Sequence, residues 1–191
     1  ILAQGAFERP LVFADNDRPG IMMASAGLKY LCRYGVLPGK SVVLLTNNDH
    51  AYLSAFEFAH KGAKVTIIDS RIEASDHVKN RCKELKIEIY FSHSVISTFG
   101  QKKINALEIQ KTEDKGNKLV GAVKKIDTDL LLMSGGWNPA VQLFSQSRGK
   151  LKYDKKINSF IPDMAIQDQR IVGCNNGDFD LSYNLENSFQ S

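Results

Sequence analysis

Two apolar runs constrain this chain more than any other feature: SVVLLT, from Ser41 to Thr46, and KVTIID, from Lys64 to Asp69. Neither alternates as a strand with one wet face would, so both read as strands buried on two sides. Between them Tyr52, Ala55, Phe56 and Ala59 fall on one face at helical spacing, and Gly62 ends the run. A strand, a helix and a parallel strand in that order form a right-handed crossover unit. The expected fold class is therefore α/β, with a Rossmann-like parallel sheet. The pattern extends both ways. Ile21, Ala24, Leu28 and Leu31 predict a helix over 21–34, stopped by Gly35 and the Pro38-Gly39 turn. Val78, Cys82 and Leu85 predict a third helix over 75–85, followed by a strand in IEIYFS.

Beyond residue 92 the periodicity changes. SVISTFG, KKINALEIQKT and KLVGAVKKI alternate apolar and polar residues between short polar turns, the pattern of an antiparallel meander with one face in water. DLLLMSGG returns to a buried strand, WNPAVQLFSQS suits a short helix or loop, and GKLKYDKK alternates again. RIVGC reads as a last buried strand and NNGDFDLSYNLENSF as the opening of a final helix. At the other extremity ILAQGA reads as a short buried strand broken by Gly5. The chain opens at Ile1 inside this apolar stretch, so further chain upstream is expected.

Charge narrows the function classes. The formal net charge of +4 is a mild excess, and acids such as Glu108, Glu113, Asp127 and Asp154 interleave with the lysines of 102–125 and 148–156. These stretches read as solvated faces, and no aromatic residues alternate with the bases as a single-strand platform needs. No nucleic-acid partner is expected. Cys32, Cys82 and Cys174 are isolated and form no CxxC pair, which disfavours zinc and redox motifs and fits a reduced, cytoplasmic setting. No apolar run has bilayer-spanning length and no signal peptide is recognisable, so no membrane partner is expected.

The turn after the first apolar run carries the sharpest functional question. In a dinucleotide-binding turn, three glycines allow a tight bend, close backbone approach to the pyrophosphate, and helix–strand packing. Here Thr46, Asn48 and Ala51 hold those places. Ala51 suits the packing position and Asn48 tolerates a left-handed backbone. Yet Asn48 brings a side chain and Asp49 a negative charge to the place where an anion belongs. Asp69 lies 23 positions after Thr46, near the spacing of about 20 for a ribose-binding acid. It serves equally well as a capping or turn aspartate, and both readings stay open.

Other candidates weigh toward structural roles. His50 starts a helix with no nucleophile or metal partner evident, and His60, His77 and His93 lack metal-ligand spacing. Ser134 and Ser145 have no triad setting. Gly135-Gly136-Trp137 could line a cofactor or subunit contact, but a tight crossover with a packed indole is favoured. Cys82 reads as a small core residue.

Several segments together, ILAQGAFERPLVFADNDRPGIMMASA, YGVLPGKSVVLLTNND, LLLMSGGWNPAVQLFSQSRGKLKYD and NNGDFDL, resemble the alpha subunits of heterotetrameric sarcosine oxidases. The resemblance implies two intertwined dinucleotide-type folds of the disulfide-reductase flavoprotein kind, the first interrupted by the second. Residues 39–132 would then form the second fold, with its βαβ units and meander, while 1–38 and 133–191 would supply closing pieces of the first and crossover segments. The two extremities of the chain should therefore meet in one layer. It further implies NAD on this subunit, FAD and FMN in the complete complex, and tetrahydrofolate as one-carbon acceptor. Other subunits and a small-molecule amine would be the partners. Ala3 and Gly5 at one strand end, with Gly173, Cys174, Phe179 and Leu181 near the other, would lie beside the NAD. No catalytic or metal-binding residue is assigned. The resemblance also admits a related opine, hydroxyproline or N-methylglutamate dehydrogenase subunit, and composition alone would admit a structural module that binds nothing.

Overall fold

Why the two apolar runs stay apolar on both faces is answered by what flanks them. The computed structural model describes residues 1–189. In chain order its elements are β1 (Ala6–Glu8), β2 (Ile21–Met23), α1 (Ala24–Tyr34), β3 (Ser41–Thr46), α2 (Tyr52–His60), β4 (Lys64–Asp69), α3 (Asp76–Glu84), β5 (Glu88–Phe91), β6 (His93–Phe99), β7 (Ala106–Glu113), β8 (Lys118–Asp127), β9 (Leu130–Ser134), β10 (Trp137–Pro139), α4 (Gln142–Gln146), β11 (Lys150–Asp154), β12 (Ser159–Met164) and α5 (Leu181–Phe189). They divide into two compact units. One comprises Ile1–Arg9 with Trp137–Ser191, and the other runs from Pro10 to Gly136, inserted in the chain of the first.

The inserted unit is built in three layers. Its middle layer is a five-stranded parallel sheet in the order β2-β9-β3-β4-β5. Side chains alternate across a strand, so Val42 and Leu44 of β3, with Leu130 and Leu132 of β9, pack against the helices through Leu31, Tyr52, Ala55, Phe58 and Val78. Val43, Leu45 and Leu131 point the other way, onto Val95, Ile104, Leu107 and Ile109 beneath the antiparallel meander β6-β7-β8. The meander's outer strand β8 is mostly exposed on both faces, Leu119 and Val123 included, and only Val120 and Ile126 are partly buried, so its alternation does not mark one covered face as expected. Gly27 shows how closely α1 approaches the sheet: a Cβ there would lie 2.6 Å from Leu132 Cδ2. Asp129 fixes the register of β9 against β3, its Oδ1 accepting the amides of Lys40 at 3.0 Å and Ser41 at 2.9 Å.

The discontinuous unit is smaller. β1 pairs antiparallel with β10, and β11 with β12. Arg9 ties these together, its Nε donating to Asn138 Oδ1 at 3.0 Å and its Nη2 to the Asn158 carbonyl at 3.1 Å. Leu2 forms a parallel bridge with Ile171, which brings the opening segment beside RIVGC. Trp137, partly buried on β10, stands opposite Glu8 within this unit. Among the described residues no helix is long and apolar enough to cross a membrane.

Some local expectations differ from the structure. The helix predicted over 21–34 begins only at Ala24, because Ile21–Met23 pairs with β9 as an edge strand; three apolar residues satisfy either period, and the neighbouring strand decides. That pairing also moves a boundary. The inserted unit takes in 10–38, which the sequence reading assigned with 1–9, and extends four residues past 132. ILAQGA, expected as a short buried strand broken by Gly5, and RIVGC, expected as a last buried strand, meet in one isolated bridge and are at most partly buried. β12 was not foreseen, since SFIPDM carries Pro162; in a two-stranded hairpin every strand is an edge, where proline is tolerated.

Candidate functional site

The sheet order locates the crevice. β4 lies on one side of β3 and β9 on the other, so the strand order reverses at β3, and the crevice between the parallel strands β3 and β9 is the switch point at which open α/β sheets bind ligands beyond the strands' carboxyl ends. There Thr46 stands beside Ser134 in register, and the turn 46–51 leads into α2.

That turn is filled by its own side chains. The Asn48 amide nitrogen donates across the crevice to the Ser134 carbonyl at 3.2 Å and to its Oγ at 3.3 Å. The Asn48 Oδ1 accepts the Ala51 amide at 3.1 Å, an N–H group at the entrance to α2. Thr46 Oγ1 accepts the Asn48 amide at 3.1 Å. The next amides are taken by tight backbone turns: Tyr52 N to Asp49 O at 3.1 Å, Leu53 N to His50 O at 3.3 Å, and Ser54 N to Ala51 O at 3.0 Å. Ala51 itself is buried, in keeping with its expected packing role.

The acid at the end of β4 is equally engaged. Asp69 is wholly buried. Its Oδ1 accepts the Arg71 amide at 2.9 Å and Arg71 Nε at 3.1 Å. Its Oδ2 accepts the Tyr52 hydroxyl at 2.8 Å and Arg71 Nη2 at 2.7 Å. Arg71 Nη2 also reaches Asp49 Oδ1 at 2.7 Å, and Asp49 Oδ2 accepts the Ser75 amide at the start of α3 at 3.3 Å. Burial opposes charge on Arg71, but its bonds to Asp69 and Asp49 outweigh this and raise its pKa. Burial also pushes the Asp49 carboxyl up, and the hydrogen bonds from Ser75 and Arg71 with the arginine's charge bring it net below its ordinary value. Burial first, then Asp69, raises the Tyr52 hydroxyl. The cluster is thus held as a neutral phenol, two carboxyl groups and one guanidinium, with no open valence for a ribose hydroxyl on Asp69.

Arg71 went unnoticed at the sequence level. Its only signal is its place two residues after the strand-end acid. His50 is exposed at the helix entrance. Ser134, without a triad setting, gains a role as the acceptor for Asn48.

The six residues expected beside a nucleotide all lie in the discontinuous unit. The Leu2–Ile171 bridge puts Ala3 and Gly5 after one strand end and Gly173 and Cys174 after the other. Gly173 has φ +73° and opens a 3₁₀ turn, and a Cβ there would meet no atom within 4 Å. Gly5 has φ +77° with similar open space, and its carbonyl accepts the Ala140 amide at 3.0 Å. Cys174 is partly buried. Phe179 and Leu181 are exposed, Leu181 at 72%. The N-terminus of α5 is capped from within: Asp180 Oδ1 accepts the Tyr183 amide at 2.8 Å. Asn175, in the same turn as Gly173, was missed by sequence reasoning; it is fully buried and neither polar atom of its side-chain amide has a hydrogen-bond partner among the described residues. Buried polar groups are normally paired, so this one is notable.

No family model matches the chain. The chain is 36% identical over 182 residues to the sarcosine oxidase subunit alpha of Corynebacterium sp. (strain P-1), covering 95% of this chain and 19% of that protein. The subunit of the same name from Rhizobium meliloti (strain 1021) is 34% identical over 174 residues, 91% of this chain and 16% of that one. The resemblance read from the sequence is thus found along nearly the whole chain, which spans under a fifth of the length of these relatives. Among solved structures, T. acidophilum thioredoxin reductase aligns with TM-score 0.69 at 16% identity, covering 94% of this chain and 57% of that one. Lactococcus lactis thioredoxin reductase aligns with the same score at 19%, covering 95% and 59%. The fold is that of the FAD/NAD(P)-binding, disulfide-reductase-type flavoproteins, an α/β parallel sheet with an antiparallel meander.

Proposed function

We propose that this chain is part of the alpha subunit of a flavin-dependent, multi-subunit oxidase that demethylates sarcosine. One observation carries the reading: similarity to subunits of that name extends over 95% of the chain. In this reading FAD and FMN, held elsewhere in the complete complex, would supply the two-electron oxidation of sarcosine's N-methyl group, with oxygen as the final acceptor and hydrogen peroxide as its product. Glycine is released and the one-carbon unit goes to tetrahydrofolate. The 191 residues supply no catalytic group; they shape a subunit scaffold in the cytoplasm and help to hold NAD.

The NAD is assigned to the discontinuous unit. The strand ends carrying Ala3, Gly5, Gly173 and Cys174 would pass beside it, with Phe179 and Leu181 at the following helix start. Two features fit a ligand there. Backbone at Gly173 and Gly5 has open space where a Cβ would stand, and the side-chain amide of Asn175 lacks a partner among the described residues. Glycines at positive φ on both sides of that turn, Gly173 and Gly177, would let it adjust around a nucleotide.

The test is a substrate panel on the complete complex. Oxygen consumption with sarcosine, and release of NAD from denatured protein detected by mass spectrometry, are expected. Activity on an opine, hydroxyproline or N-methylglutamate with none on sarcosine would replace this reading with a related dehydrogenase. Well-folded protein with neither activity nor nucleotide would leave a structural module.

A further inference from the structure

We infer that Asn48 and Asp49 are built-in occupants of the nucleotide crevice of the inserted unit and exclude nucleotide from it. The inference deepens the proposed function, resting on its assignment of NAD to the other unit. It concerns specificity: one chain carries parts of two folds of nucleotide-binding type, and these two side chains decide which of them stays closed.

A dinucleotide needs three things at such a crevice: free N–H groups at a helix entrance for its phosphates, room for the backbone to approach them, and an accessible acid for the ribose. Each is taken here by a side chain of the chain itself. The Asn48 carbonyl oxygen sits on the Ala51 amide, where a phosphate oxygen would sit. Its amide nitrogen spans the gap between strand ends to Ser134. Asp49 brings a carboxylate to the same helix entrance, fixed by Arg71 at 2.7 Å and the Ser75 amide, and a second anion arriving there meets like-charge repulsion. Asp69 is buried and accepts four hydrogen bonds from Tyr52 and Arg71, so a site opened at the turn would hold a nucleotide by its phosphates and not by its ribose, and would be weak. Arg71, which could otherwise pair with a phosphate, is shared between two carboxylates. The architecture is intact: strand, turn, helix and strand-end acid are all in place. Only the occupant differs.

The variants Asn48→Gly and Asn48→Gly/Asp49→Ser, made in the full-length subunit within its native assembly, test this by NAD titration in a calorimeter. Stoichiometry is the main readout, because the other unit is proposed to bind one NAD per chain. Wild type should bind one. The double variant should gain a second, weaker site, and Asn48→Gly alone should show the same site about tenfold weaker still, since Asp49 remains to repel the phosphate. Thermal unfolding of each variant establishes that it is folded. Two NAD per wild-type chain would overturn the inference, as would an unchanged stoichiometry in both folded variants. Should wild type bind none, the proposed NAD assignment fails; a rise from none to one in the double variant would still support this inference.

Discussion

The two units of this chain both expose some apolar side chains, Val12 and Ile72 in one and Phe7 and Leu181 in the other, but they differ sharply in how many they bury. In the inserted unit, 10–136, two clusters fill both faces of the parallel sheet, and Leu44, Ile67, Ile68, Leu130, Leu131 and Leu132 have no exposure at all. In the discontinuous unit, among the described residues, the buried apolar side chains are Ala140, Phe144 and two prolines, Pro139 and Pro162, while Phe7, Tyr153, Phe160, Leu181, Tyr183 and Leu185 are each at least half exposed. The same contrast holds for polar groups. The inserted unit closes its ligand crevice with Asn48 and satisfies a buried carboxylate with Arg71, whereas the discontinuous unit leaves the buried side-chain amide of Asn175 without a partner among the described residues. A domain that has finished its core and closed its crevice reads as scaffold. One that buries so few apolar side chains and holds an unpaired polar group reads as the part that meets something else.

The largest effect should separate the cores. Leu132→Ala removes a fully buried side chain packed under Gly27 and should destabilise the chain by about 2–5 kcal/mol. Leu185→Ala, at 55% exposure, should change stability by less than about 0.5 kcal/mol. Urea unfolding midpoints measure both. Equal losses would mean that the discontinuous unit has a core as closed as its neighbour's, and the contrast would disappear.

Thiol reactivity sharpens the same comparison by rate. Cys82 lies in the helix-side core and burial raises its pKa to about 11, whereas Cys32 is exposed and Cys174 partly so. Since the thiolate is the reactive form, native Cys82 should react with a disulfide reagent about a hundredfold or more slowly than Cys32, with Cys174 between them. By the same sign, burial of the neutral Cys82 thiol favours the fold below its unfolded pKa, and that contribution fades as pH rises from about 9 toward 11. Equal native rates for Cys32 and Cys82, followed by mass spectrometry, would contradict a closed core.

Arg71 probes the filled crevice. Arg71→Ala leaves Asp69 buried with the Tyr52 hydroxyl and one backbone amide as its remaining partners. Because the arginine is itself about one-third exposed, the cost should be moderate, about 2 kcal/mol. Tyr52→Phe should cost about 1 kcal/mol. A neutral Arg71→Ala would mean that the cluster is not what holds the two turns together.

How much of this was legible beforehand follows from where the information lies. β3, α2, β4 and the meander strands β6 and β7 were readable because their periodicity is local and each face has a distinct environment. That Asn48 opposes a phosphate was also readable, from its position in a turn with a fixed geometric demand. What Asn48 bonds instead was not, because Ser134 is 86 positions away and only the sheet order brings it near. Asp69 was left between ribose and capping roles. Its partners Tyr52 and Arg71 are close in sequence, but their convergence depends on α2 packing over the end of β4. Ile21–Met23 was hidden for a similar reason: a three-residue strand has no period of its own. The unpaired amide of Asn175 has no sequence signature, since an asparagine between a cysteine and a glycine-bearing turn looks like any surface turn.

Asp49 gives the smallest effect and the finest discrimination. Its folded pKa is lowered because hydrogen bonds from Ser75 and Arg71 outweigh burial. Its contribution to stability is therefore fully present above the unfolded carboxyl value of 3.8 and is lost as pH falls through the folded value. The carboxylate is about one-third exposed, and solvent screening holds the effect at pH 7 below about 1 kcal/mol. Asp49→Asn should lower the urea midpoint slightly at pH 7, and the gap to wild type should shrink by pH 3. If the gap instead stays constant with pH, Asp49 acts through shape alone. The charge-based half of the exclusion at the α2 entrance would then have to be carried by Asn48, whose removal would by itself open the crevice as fully as the double substitution.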